Sequence, residues 1–186
     1  MNYIHFISLL LFCFTAVLIS GCEPHAESNA ETRDQRNKVA LTFPDDVFGI
    51  YQGTLNITNP RGEQTIPMEF HLLETDSIHQ YDYILIYSGQ PRNYTLIAKD
   101  LEKGVFELDE NNGIILPTYF NKNTLHSFFE VNDNLLSSRL QFFHDRVDFE
   151  ILFASNDQNI QSGSGGDVKV LGIPISTFQK ASLYKQ

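Results

Sequence analysis

From residue 47 onward, apolar and polar residues alternate in short runs, and this pattern is the strongest constraint on the fold. In the run 65–74 every second residue is apolar: Ile66, Met68, Phe70 and Leu72. The run 146–154 alternates in the same way. Because successive side chains of a strand point to opposite faces, each run predicts a strand with one buried face.

Ten such runs follow one another at intervals of ~8 to 12 residues, a spacing typical of all-β sandwiches and barrels. They span 47–58, 65–74, 82–88, 92–98, 104–109, 113–120, 124–131, 135–143, 146–154 and 168–178. Short turns between them favour antiparallel pairing of consecutive strands. A meander protects its edges most directly by closing. We predict an all-β, antiparallel up-and-down meander of about eight to ten strands, closed as a lipocalin-like barrel with 168–178 as its last strand.

A short segment in the first run carries a family resemblance. Gly49-Ile50-Tyr51-Gln52-Gly53 resembles the start of calycin folds such as lipocalins and nitrobindin-like proteins, in which Gly-x-Trp opens the first strand. In those folds the aromatic ring plugs one end of the barrel, and here Tyr51 replaces the tryptophan. The resemblance implies the calycin architecture and no particular ligand.

Aromatic residues on the inner face of the predicted barrel are the candidate ligand contacts. Seven of them fall on inward positions: Tyr51, Phe70, Tyr83, Tyr87, Tyr94, Phe129 and Phe149. A barrel of this size is either filled by its side chains or holds one small ligand. Because buried Tyr hydroxyls need hydrogen-bond partners, several inward Tyr favour a partly polar cavity.

No constellation of residues in the sequence indicates catalysis or a bound metal. The histidines of the domain lack metal-ligand spacing, and no nucleophile elbow or phosphate-binding loop is present. Ser127 directly follows His126 and would point to the opposite face of its strand. The net charge of −10 disfavours nucleic acid as a partner. We therefore expect a protein that is not an enzyme and that uses neither a metal nor a cofactor.

The first 22 residues form a separate element. An apolar run from Phe6 to Ile19 is followed by Ser20-Gly21-Cys22, and this segment resembles the lipobox of bacterial lipoproteins. In that family the chain is cut before the cysteine and lipid is attached to its sulfur. The apolar run is shorter than the ~20 residues that span a bilayer. Because the leader has no Lys or Arg, a membrane helix and an ordinary secretory leader stay open as alternatives.

The lipobox resemblance implies three regions along the chain. Residues 1–21 would be the signal peptide, 22–46 a lipidated flexible tether without periodicity, and 47–186 the barrel domain. We expect the chain in the bacterial cell envelope, anchored to a membrane by lipid on Cys22, with the outer membrane favoured over the inner.

Two functions fit these features. The leading hypothesis is a non-enzymatic, membrane-anchored lipoprotein whose barrel binds a small apolar ligand. The alternative is a structural or interaction lipoprotein with a filled barrel that docks another envelope protein. A cavity of at least ~300 Å³ lined by the seven aromatic residues would favour the first.

Overall fold

The computed structural model describes residues 41–163 and 168–186, and most of these residues lie in strands. The strands are β1 (Gly49–Asn59), β2 (Gly62–Glu74), β3 (Gln80–Tyr87), β4 (Gln90–Asp100), β5 (Val105–Asp109), β6 (Ile115–Asn121), β7 (Thr124–Val131), β8 (Asn134–Phe142), β9 (Arg146–Ser155), β10 (Ile160–Ser162), β11 (Val170–Gly172) and β12 (Ile175–Lys185). Short 3-10 helices at Asp45–Val47 and Asn156–Gln158 precede β1 and β10. No helix within the described ranges has the length and hydropathy needed to cross a bilayer.

Ten of these strands form one closed antiparallel barrel. Strands β1 to β9 follow one another around the wall, and β12 closes the barrel by pairing with both β9 and β1. The remaining two strands, β10 and β11, form a separate two-stranded sheet. The predicted fold class, an all-β up-and-down meander closed as a barrel, is confirmed.

The alternation along each strand determines which side chains fill the interior. In β2, Met68, Phe70 and Leu72 are buried. Between them, Glu69 and His71 lie on the outer face and share a hydrogen bond of 2.9 Å. Burial of each such apolar side chain stabilises the fold by roughly 1.5 to 3 kcal/mol, so this pattern holds the register of the sheet.

The closing strand lies further along the chain than the sequence predicted. We expected 168–178, but β12 spans Ile175–Lys185 and residues 170–172 belong to the small sheet. The inner face of β12 carries Thr177 and Gln179 near its start, so the apolar alternation that identified the other strands is weak there. The position of β12 is determined instead by its hydrogen-bonded pairing with β1 and β9. This pairing depends on tertiary structure and is not visible in the local sequence.

One end of the barrel, where β1 begins, is closed by the segment 41–48, which we call the strap. Phe43 of the strap stacks on Phe120 with the ring centroids 4.1 Å apart. Val47 is fully buried, and its carbonyl accepts a hydrogen bond of 2.6 Å from the hydroxyl of Tyr51. Tyr51 is itself fully buried and plugs this closed end.

The strap overlaps the segment that we predicted as a flexible tether. Leu41 and Phe43 pack against the core, so contacts with the barrel begin before residue 47. A β-strand pattern could not reveal this packing because the strap forms no strand. The predicted signal peptide, Cys22 and the predicted tether up to residue 40 lie outside the described residues, and for them the division of the chain stays a prediction.

We expect Tyr51→Phe to lower the free energy of unfolding by about 1 to 2 kcal/mol, because it removes the buried hydrogen bond to the Val47 carbonyl without leaving a cavity. Urea unfolding measures this loss. The control is Tyr184→Phe, which changes a half-exposed tyrosine. Equal unfolding midpoints for the two variants would contradict the role given to the Tyr51 hydroxyl.

Candidate functional site

The open end of the barrel lies opposite the strap and contains a cavity of about 430 Å³, which we call the aromatic chamber. Five of the seven predicted aromatic residues line it: Tyr83, Tyr87, Tyr94, Phe129 and Phe149. They come from β3, β4, β7 and β9, so opposite walls of the barrel meet here. Leucine, isoleucine and valine side chains form most of the remaining lining, and the chamber is therefore largely apolar.

Tyr51 and Phe70 do not line the aromatic chamber, so the prediction of ligand contact does not hold for them there. Both are fully buried in the closed half, where their rings lie 6.0 Å apart. The alternation predicted their inward direction correctly. It could not predict their height along the barrel axis, because that height depends on the register and tilt of the strands. Our alternative hypothesis assumed a barrel filled by its own side chains, and the interior is packed in this way only in the closed half.

Three tyrosines form a cluster in the wall of the aromatic chamber. The rings of Tyr83 and Tyr94 lie 6.2 Å apart, and Tyr87 lies near both. Burial raises the pKa of Tyr83, and the neighbouring Tyr87 and Tyr94 raise it further. Burial also raises the pKa of Tyr87 to about 12, although the positive charge of Arg92 opposes this shift. Tyr83 and Tyr87 therefore offer neutral hydroxyls to a ligand at physiological pH.

A second cavity of about 450 Å³ lies beside the aromatic chamber, and we call it the side chamber. The two chambers share four lining residues: Tyr87, Arg92, Leu136 and Ile151. The rest of the side chamber is formed mainly by apolar residues of β1, β2 and β9, with Thr177 and Gln179 of β12. The open half of the barrel is thus hollow in two adjacent lobes.

Arg92 is the charged residue at the boundary of the two chambers, and our sequence analysis did not identify it. It pairs with Leu85 on the inner face, and its guanidinium carbon lies 5.1 Å from the ring centroid of Tyr87. The signal was present in the sequence, because Arg92 precedes the predicted inward residue Tyr94 by two positions.

The barrel wall is least continuous between β6 and β7. Their ladder contains only four residue pairs, from Thr118↔Ser127 to Asn121↔Thr124. Pro117 has no amide hydrogen to extend it. The hydroxyls of Thr118 and Ser127 share a hydrogen bond of 2.8 Å at the last pair, and Ser127 lies inward while His126 is exposed, as predicted.

Beyond this last pair, the outer surface has a groove where the β6–β7 ladder ends. The groove has a volume of about 450 Å³ and is lined by Pro117 and by Phe128, whose side chain is 68% exposed. The neighbouring residues Leu116 and Phe129 line the aromatic chamber inside. Only the thickness of the wall separates groove and chamber at this point.

The charges that line the chambers are few. Glu110 and Glu130 lie at the aromatic chamber, and Arg92 borders both chambers. Within residues 41–163 and 168–186, no three His, Cys, Asp or Glu side chains are grouped so that they could hold a metal ion. The geometry is suited to holding an apolar molecule and contacting its polar groups at a few points.

Comparison with known proteins yields a structural relative and no sequence relative. No protein-family model matches the chain. No curated protein matches it either. Among solved structures, the S-type phycobiliprotein lyase from Guillardia theta aligns with a TM-score of 0.53 at 8% identity, covering 83% of this chain and 97% of the lyase. At this identity the likeness establishes the fold alone, a closed lipocalin-like antiparallel barrel.

This neighbour contradicts our expectation that the protein is not an enzyme. We had based that expectation on the lack of familiar catalytic motifs in the sequence. The protein that shares the barrel is a lyase, so the lack of such motifs on this fold is no ground for excluding an enzyme.

The raised tyrosine pKa values predict a loss of stability in alkali. Tyr87 has a pKa of about 12 when folded and roughly 10 when unfolded. The folded state therefore binds the proton of the Tyr87 hydroxyl more tightly than the unfolded state does. The resulting contribution to the free energy of unfolding is complete below about pH 10 and is lost as the pH rises toward 12. Between these pH values, we expect the free energy of unfolding of Tyr87→Phe to fall by about 1 to 2 kcal/mol less than that of the wild type.

Urea unfolding at about pH 9 and about pH 11.5 measures this difference. Tyr119→Phe is the control, because Tyr119 is half exposed on the outer face. If Tyr87→Phe and Tyr119→Phe lost the same stability between the two pH values, burial of the Tyr87 hydroxyl would be disproved.

Proposed function

We propose that this protein is a lipid-anchored protein of the bacterial cell envelope whose barrel binds one small, largely apolar molecule in the aromatic chamber. The observation that carries the binding proposal is the cavity of about 430 Å³ lined by five aromatic side chains at the open end. Its volume exceeds the ~300 Å³ at which cavities begin to hold small ligands.

The lining of the aromatic chamber defines what this ligand contacts. Apolar faces of Tyr94, Phe129 and Phe149 favour a flat or branched hydrophobic body, since aromatic rings pack well against such surfaces. Tyrosine hydroxyls and Ser138 provide a few hydrogen-bonding groups within that apolar surface. A molecule with one or two polar substituents would satisfy them.

The structural neighbour adds a chemical possibility to this proposal. Because that neighbour is a lyase, a bound molecule is to be followed for chemical change as well as for retention. Native mass spectrometry of the purified protein does both, since it gives the mass of any molecule carried through purification.

The anchor is the second part of the proposal and rests on the sequence Ile19-Ser20-Gly21-Cys22. Lipid on Cys22 would hold the barrel at a membrane, because two or more acyl chains bind a bilayer stably where one does not. We favour the outer membrane over the inner. The strap lies at the opposite end of the barrel, so it leaves the open end free to receive a ligand.

A matched pair of serines tests binding in the aromatic chamber. Ser138 lines the chamber, whereas its neighbour Ser137 lines the outer groove. We expect Ser138→Trp to fill the chamber and weaken binding of the neutral dye phenylnaphthylamine at least about tenfold, a change of about 1.4 kcal/mol. Ser137→Trp should bind the dye like the wild type, and fluorescence titration measures both.

Circular dichroism confirms that both tryptophan variants fold. If Ser138→Trp does not fold, Phe129→Ala replaces it, because removing a ring from the chamber also changes dye affinity. Dye binding that is the same in wild type and in a folded chamber variant would refute a ligand site there.

The anchor is tested with the two cysteines of the chain, Cys13 and Cys22. When the full chain is expressed in bacteria with an alkyne-labelled fatty acid, we expect the label on wild type and on Cys13→Ser. It should be absent from Cys22→Ser, because the sulfur that accepts lipid is gone. Labelling of Cys22→Ser at the wild-type level would exclude this anchor.

A further inference from the structure

We infer that the ligand carries a carboxylate and that Arg92 binds this group between the two chambers. The inference rests on the proposed function and adds the chemical class of the ligand, an apolar body with one acidic group. It depends on the position and surroundings of Arg92.

Arg92 is placed to reach a ligand in either lobe of the open half. It lies on the inner face of β4 and lines both chambers. Arg92 is exposed to solvent, so an incoming acid can reach the guanidinium. The Tyr87 ring beneath it, 5.1 Å from the guanidinium carbon, orients the plane of the group.

Arg92 has no acidic partner among the described residues. The ion pairs seen among residues 41–163 and 168–186 join other groups, such as Lys99 with Glu107 and Arg146 with Asp148. A guanidinium presents a planar fork of donors that matches the two oxygens of a carboxylate. On a chain of net charge −10, this cation in a largely apolar mouth contacts an aromatic ring and no carboxylate among the described residues.

The surrounding charges favour the side chamber as the place of the acidic group. Glu110 and Glu130 lie at the aromatic chamber and would repel an anion held there. The side chamber is lined by no carboxylate among the described residues, and Thr177 and Gln179 add neutral hydrogen-bond donors. The apolar body would then lie in the aromatic chamber with its acid directed past Arg92.

A matched pair of fluorescent ligands tests the inference. Pyrenebutyric acid and pyrenebutanol have the same aromatic body and chain, and only the acid is charged at neutral pH. We expect the wild type to bind the acid about tenfold more tightly than the alcohol at low salt, a preference typical of one charge-assisted contact. Because Arg92 is accessible to solvent, the preference should shrink as salt is added.

Three variants of the full chain assign this preference. Arg92→Gln should bind both ligands with the affinity of the alcohol, and Arg92→Lys should keep part of the preference. Arg61→Gln is the control, because it removes the same charge from an exposed turn at the same end of the barrel. It should prefer the acid as strongly as the wild type does.

The possible results separate this inference from the proposed function. Equal binding of acid and alcohol by the wild type would overturn the carboxylate inference and leave the chamber as a binding site. An acid preference that survives in Arg92→Gln would overturn the role of Arg92. Failure of the wild type to bind either ligand would overturn both the inference and the proposed chamber.

Discussion

The ladder between β1 and β12 is the constraint on which the rest of the structure depends. These strands lie at opposite ends of the described barrel sequence, and their pairing removes the two edges that an open meander would expose. The approach is close at Gly53, where an added Cβ would lie 2.5 Å from the carbonyl oxygen of Ser182. Without this closure there would be no inside, and the apolar faces of all ten strands would meet water.

Closure creates an interior that side chains fill unevenly. At the closed end, the strap supplies Phe43 and Val47 to a core that already contains Phe106 and Phe142. No corresponding segment fills the other half within the described residues, where smaller inward residues such as Ser138 and Thr177 leave two adjacent chambers. The same fold therefore has a stabilising half and a half that is available for binding.

Much of this architecture could be predicted from the sequence, because a period of two and short turns report directly on strands and antiparallel pairing. The nine strands up to β9 lie close to their predicted positions, and the inward direction of the seven aromatic residues is right for the interior. Properties that depend on pairing across the barrel were not predictable in this way. They include the position of β12, the height of Tyr51 and Phe70, and the packing of the strap.

The candidate site shows the same division between local and tertiary information. Its aromatic members are visible in the sequence because aromatic residues at alternate positions stand out. Arg92 was missed because a charged residue in an apolar run is ordinarily assigned to the outer face, and only the closed structure shows that it borders two cavities. The likeness to a lyase also shows that a fold of this kind does not determine whether the bound molecule is only held or also converted.

The open half of the barrel is hollow, and we propose that it accepts an apolar molecule. Anomalous diffraction from crystals of the protein soaked with bromonaphthalene tests it directly, because bromine marks the position of the ring. We expect a bromine peak within the aromatic chamber, among Tyr83, Tyr94 and Phe129. A chamber filled by its own side chains, with bromine found only on the outer surface, would contradict it.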